Sequence, residues 1–132
     1  MLFGMAKHPS TTQKGQDAEL IAQEYLRAQR YTILQTNMHT PHGEIDIVAK
    51  KNSEFICVEV RSRNTSTGIP SELTLTSQKY KRIILSILSI PWLENKPVRI
   101  DFLTIVNNTV ARHYKDIRWD MVNSHKKLLY AF

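Results

Sequence analysis

Two adjacent stretches, Gly43–Lys51 (GEIDIVAKK) and Glu54–Ser62 (EFICVEVRS), alternate their side chains on either side of a polar break. In the first, Ile45, Ile47 and Ala49 share one side while Glu44, Asp46 and Val48 share the other. In the second, Ile56, Val58 and Val60 oppose Phe55, Cys57, Glu59 and Arg61. Strand side chains alternate between faces, so the pair predicts a β-hairpin. A turn at Asn52 and Ser53, or one spanning Lys51 to Glu54, gives the same register: Ile45 opposite Val60, Asp46 opposite Glu59, Glu44 opposite Arg61. Two directly opposed carboxylates repel each other, and a shared cation resolves the conflict. Mg²⁺ or Mn²⁺ suits oxygen ligands of this kind and leaves positions open for water and phosphate oxygens. The plainer reading is a solvated acidic face with a cross-strand Glu44–Arg61 ion pair.

The flanking sequence places this hairpin in an α/β or α+β domain. From Thr12 to Arg30, Ala18, Ile21, Ala22, Tyr25 and Leu26 recur at helical spacing, with Glu19 bordering the apolar face. YTILQTN reads as a strand stopped by the loop MHTPHG, and NTSTGIPSE reads as a second loop. TLTSQKYKRIILSIL predicts a helix capped by Thr76 or Ser77 and ended before Pro91. VRIDFLTIV is a strand that turns at Asn107 and Asn108 into a shorter one from Val110 to Tyr114. The segment from Trp119 to Leu129 is expected to be helical. Residues 1–12 are expected to be a flexible lead and residues 13–132 a single domain.

Charge and cysteine usage narrow the function classes. The formal net charge of +6 favours a polyanionic partner through long-range attraction. Cys57 is the only cysteine and lies in an apolar run, which points to a buried thiol and a reducing, cytoplasmic setting. RIILSILSIPWL is too short to span a bilayer, so no membrane association is expected. His39 and His42 share a loop, but no second Cys or His pair completes a zinc site. Tyr80, Lys81, Arg82, Arg99, Arg112, Lys115 and Arg118 are candidates for a surface contacting nucleic-acid phosphates, against the alternative of dispersed solubilising charge.

The blocks GQDAELIAQEYL, GEIDIVAKK, FICVEVRSRNTSTGIP, SQKYKRI and RIDFLTI follow in an order and spacing that resembles the YraN family, which is assigned to the PD-(D/E)XK nuclease superfamily. The resemblance implies a restriction-endonuclease-like fold, a mixed sheet flanked by helices with core order αβββαβ. It implies Asp46 and Glu59 as ligands of Mg²⁺ or Mn²⁺, Glu19 from the first helix as a third carboxylate, and the Val60 carbonyl as a further ligand. The superfamily's lysine, two residues after the second acid, is Arg61 here; arginine stabilises charge but cannot act as a base. Lys79 or Gln78 at the start of the second helix would then compensate, and Arg63 and Arg82 would contact phosphates. The implied activity is metal-dependent endonucleolytic cleavage of DNA, with branched or single-stranded DNA as candidate substrates; a homodimer would suit junction cutting. A binding module with a degenerate site and a protein-interaction scaffold are the alternatives.

Overall fold

The computed structural model describes residues 11–64, 73–123 and 127–130. Its elements, in chain order, are α1 (Thr11–Ala28), β1 (Thr32–Thr40), β2 (Gly43–Lys51), β3 (Glu54–Arg63), β4 (Leu73–Thr76), α2 (Ser77–Leu88), β5 (Val98–Val106), β6 (Thr109–Tyr114), α3 (Trp119–Asn123) and β7 (Lys127–Tyr130), with a 3-10 turn at Pro91–Leu93. Five strands form one mixed sheet in the order β1-β2-β3-β5-β6, and β4 pairs separately with β7. β3 and β5 run parallel at its centre, and the other neighbours in this sheet are antiparallel. The fold is an α/β mixed sheet flanked by helices, as in restriction-endonuclease-like proteins.

Helices cover both faces, so the central strands read as nearly continuous apolar runs. On one face Ala18, Ala22 and Leu26 of α1 pack against Ile47, Ala49, Ile56, Val58, Leu103 and Ile105. The two alanines let the helix backbone lie close to the sheet. On the other face Tyr80 and Ile83 of α2 join Leu75, Ile100, Phe102, Ile117 and Val122. Cys57 is buried in a neighbouring cluster with Val48, Ile90 and Leu93, and burial pushes its thiol up to about 12, as suits a structural cysteine.

Local chemistry sets the boundaries. Arg30, at φ 71°, closes α1 in the left-handed region, and Tyr31 N–H returns to the Leu26 carbonyl at 2.9 Å. Asn52 at φ 57° turns β2 into β3, and Asn107 and Asn108, both left-handed, turn β5 into β6. Thr76 caps α2 by accepting the Lys79 N–H at 3.1 Å.

Three expectations change. MHTPHG is not a loop: β1 continues through Met38–Thr40, and only Pro41 and His42 separate it from β2. Thr40 Oγ1 stabilises that tight turn by donating to the Gly43 carbonyl at 2.9 Å and accepting from His42 N–H at 3.1 Å, while Gly43 adopts φ +141°, which other residues rarely do. The expected helix from Trp119 to Leu129 shrinks to α3, because Leu128 and Leu129 pair with Leu75 and Thr74 as strand partners. α1 begins at Thr11, inside the expected lead; residues 1–10 and most of the NTSTGIPSE segment lie outside the described residues.

A buried polar network fixes the α1 side of β5. Asp101, fully buried, receives Arg99 Nε and Nη2, both at 2.8 Å, and Asp116 N–H at 3.0 Å, while His113 Nε2 lies 2.7 Å away. Arg99 also donates to the Tyr31 hydroxyl at 2.8 Å, and Tyr25 OH lies 3.1 Å from His113 Nδ1. Burial alone would raise the Asp101 carboxyl, but the bonds from His113, Arg99 and the Asp116 backbone outweigh it and hold the pKa below the usual carboxylate value. Arg99 is therefore a structural residue rather than a phosphate contact. Tyr80, whose buried hydroxyl donates to the Ile117 carbonyl at 2.9 Å, is likewise structural. Asp101→Ala, which leaves the Arg99 guanidinium no carboxylate but the longer, 3.4 Å contact to half-exposed Glu54, is predicted to lower stability by about 3 kcal/mol in urea unfolding.

Candidate active site

The β2–β3 ladder begins at Lys51–Glu54, keeps the expected register through Ile47–Val58, and stops there. The next three expected pairings are not formed, because the strands part. In the resulting fork Asp46 Oδ2 accepts the Val60 N–H at 2.8 Å, so a side chain takes the place of a backbone acceptor. The β1 side is irregular at the same level: Thr36 pairs with Ile47 and Met38 with Ile45, with Asn37 between them at φ 50°. Asparagine tolerates that left-handed conformation better than most residues.

Asp46 and Glu59 meet at this fork through a carboxyl–carboxyl hydrogen bond. Glu59 is only 5% exposed, and two cations face it: Arg61 Nε at 3.4 Å and Lys79 Nζ at 3.8 Å from Oε2. Burial pushes the Glu59 carboxyl up to about 8; repulsion from Asp46 adds to this, and Lys79 and Arg61 offset part of it. Burial also raises Asp46, but the Val60 N–H and the bond from Glu59 restrain the shift. The pair therefore shares one proton at neutral pH, with the Arg61 and Lys79 cations against Glu59 and the Glu19 and Glu44 carboxyls near Asp46.

Glu19 stands beside this pair rather than in it. Burial, followed by the charge of Asp46, raises its carboxyl, and its side chain hydrogen-bonds Asn37. Among the described residues no three His, Cys, Asp or Glu side chains cluster closely enough to hold a metal by themselves. The donors that fit a cation here are the two contacting carboxylates, with Glu19 one side chain away. The chemistry suits a hard, oxygen-preferring ion: Glu59 is buried, Asp46 half-buried, and the two repel each other unless a proton is retained between them.

The remaining candidates divide clearly. Lys79 reaches the acids from the capped first turn of α2, whereas Gln78 and Arg82 on the same helix are exposed. Arg63 is exposed at the end of β3. Glu44 does not face Arg61 as expected; His39 Nε2 lies 3.5 Å from Glu44 Oε2, and Arg61 turns to Glu59. Of the broader basic set, Arg118 pairs with Asp116 at 2.9 Å and Lys81 lies over the Trp119 ring at 5.6 Å, while Arg112 and Lys115 are exposed. Sequence reasoning missed Asn37, although an asparagine in the middle of a strand is itself a sign of irregular backbone.

A mixed sheet that forks between a half-buried and a buried acid, with a lysine and an arginine against the latter, defines a restriction-endonuclease-like α/β protein with a candidate acidic centre. The chain belongs to uncharacterised protein family UPF0102, which it matches over residues 18–105. It is 39% identical over 111 residues to a UPF0102 protein of Fervidobacterium nodosum, covering 80% of this chain and 81% of that one. A UPF0102 protein of Persephonella marina is 40% identical over 101 residues (74% and 86%), and one of Aliivibrio fischeri 30% identical over 117 residues (87% and 94%). Among the described residues no helix is long and apolar enough to cross a membrane.

The protonated pair has a direct consequence for stability. The folded protein holds a proton on Glu59 up to about pH 8, whereas an unfolded glutamate releases it near pH 4.5. Metal-free protein should therefore lose stability as pH rises from about 5 to 8, by an amount on the order of 3 kcal/mol. Glu59→Gln should flatten that slope and be the more stable of the two at pH 8 in thermal melts with EDTA.

Proposed function

We propose that the protein is a metal-dependent nuclease that hydrolyses phosphodiester bonds, DNA being the expected substrate. The observation that carries this reading is the contact of the buried Glu59 carboxyl with the half-buried Asp46 carboxyl at the sheet fork, with Lys79 and Arg61 against Glu59. Asp46 and Glu59 would hold Mg²⁺ or Mn²⁺, with the Val60 carbonyl as a further ligand and Glu19 assisting directly or through water. When bound, such an ion lowers the pKa of a coordinated water and polarises a phosphate oxygen.

The protein's own groups supply the rest. Asp46 and Glu59 would hold the cation as carboxylates, their shared proton passing to solvent. Lys79 and Arg61 then face the scissile phosphate and offset the charge that builds on its oxygens as water attacks phosphorus. One P–O ester bond breaks, leaving a phosphomonoester and a hydroxyl. Arg61 serves as a charge donor only, since a guanidinium remains protonated. Lys79, arriving from α2, supplies a lysine that β3 lacks at its usual place. Gln78, Arg63 and Arg82 lie on the exposed surface next to these elements, where they would meet flanking phosphates.

Arg61 at the usual lysine position motivates a second reading, a nucleic-acid-binding module without cleavage. Incubation of branched, duplex and single-stranded DNA with Mg²⁺ or Mn²⁺ separates the two. Wild type should nick at least one of these, Asp46→Asn should reduce the rate at least about a hundredfold, and Lys79→Ala about a hundredfold. Arg61→Lys should retain activity. Binding without cleavage supports the second reading, and absence of binding at low salt removes both.

A further inference from the structure

Asn37 sits in the middle of β1 yet adopts a left-handed backbone, φ 50°, whereas the other left-handed asparagines, Asn52, Asn95, Asn107 and Asn108, occupy turns. The strand continues on both sides of it, so no turn demands that conformation. The flanking pairs Thr36–Ile47 and Met38–Ile45 set Asn37 level with Asp46. β2 is irregular at the same level. Ile47 packs beneath α1, while Ile45 joins the cluster of Ile90 and Leu93, although a regular pleat would send two residues at this spacing to one face. Backbone strain of this kind, held in place by its surroundings, collects at functional sites.

The side chain shows what the strained position serves. Asn37 hydrogen-bonds Glu19 of α1. An ionised carboxylate only accepts, so the Asn37 amide is the donor. Ala18, one residue from Glu19, packs into the α1–sheet core and keeps this turn of the helix near the strands. Burial and the charge of Asp46 work against an ionised Glu19, and the Asn37 bond works for it. Two demands therefore meet at position 37: a left-handed backbone and a donor that reaches α1. Glycine meets the first alone, and aspartate would meet the first but repel Glu19. Asparagine meets both.

We propose that Asn37 is a positioning residue of the acidic centre: its side-chain amide holds the Glu19 carboxylate toward Asp46, so that α1 contributes its acid to the divalent ion held by Asp46 and Glu59. The inference rests on the metal-binding reading above and adds the group that aims the third acid. The test is calorimetric titration of EDTA-stripped protein with Mn²⁺, with metal-free melting temperatures measured in parallel.

Asn37→Gly accepts the left-handed backbone and removes only the amide. It should weaken Mn²⁺ binding about tenfold while leaving the metal-free Tm within about 2 °C of wild type. Asn37→Ala should weaken Mn²⁺ to the same degree and also lower the metal-free Tm, because alanine resists that φ. Glu19→Gln should weaken binding as well, and adding Asn37→Gly to it should change the affinity by less than about twofold. Loss of affinity in Asn37→Ala but not in Asn37→Gly assigns position 37 to the backbone alone and overturns the proposal. An undiminished effect of Asn37→Gly in the Glu19→Gln background overturns it too, since the amide would not act through Glu19. Equal affinity of wild type and Glu19→Gln overturns it while leaving the Asp46–Glu59 centre intact. Failure of wild type to bind Mn²⁺ overturns the parent reading and the positioning role together.

Discussion

The structure turns on two carboxyls forced together where β2 leaves β3. Paired strands would place Asp46 and Glu59 face to face, and their repulsion, buried on a covered sheet, would be severe. The protein meets this by opening the ladder beyond Ile47–Val58, giving Asp46 the Val60 N–H, and keeping a proton between the acids. None of these adjustments benefits a purely structural hairpin. An apolar pair at these two positions would extend the ladder and deepen the core, so the acids are a local violation of the pattern that the rest of the sheet obeys.

The rest of the fold holds that violation in place. α1 brings Glu19 and α2 brings Lys79 to the fork from opposite faces of the sheet, each anchored by an apolar stripe in its own core cluster. Thr76 fixes where α2 starts, and with it the direction from which Lys79 approaches. Thr40 Oγ1 and the buried Ser86 hydroxyl, 2.8 Å apart, tie the β1–β2 turn to α2. The other buried carboxylate, Asp101, shows the contrast. It is satisfied by Arg99, His113 and a backbone amide, its pKa is held down, and it serves as an internal brace rather than a reactive group.

Much of this was legible in the sequence because alternation and capping are local signals. The hairpin register, the two faces of β3, the cap at Thr76, the asparagine turn before β6 and the burial of Cys57 all follow from residues near one another in the chain. The resemblance carried by the separated blocks pointed to Glu19. What stayed hidden depends on distant contacts. Nothing local to Leu128 and Leu129 indicates that they pair with β4, and nothing local to Arg99 distinguishes an internal ion pair from a surface cation. The fork itself was invisible, since a regular alternation predicts a ladder that continues through Asp46.

The central claim is that Asp46 and Glu59 jointly hold a divalent cation. Calorimetric titration of the metal-free protein with Mn²⁺ tests it most directly, with Asp46→Ala and Glu59→Ala titrated alongside. The account predicts saturable binding by wild type that each substitution abolishes. Absence of binding by wild type, or equal binding by both variants, would contradict it.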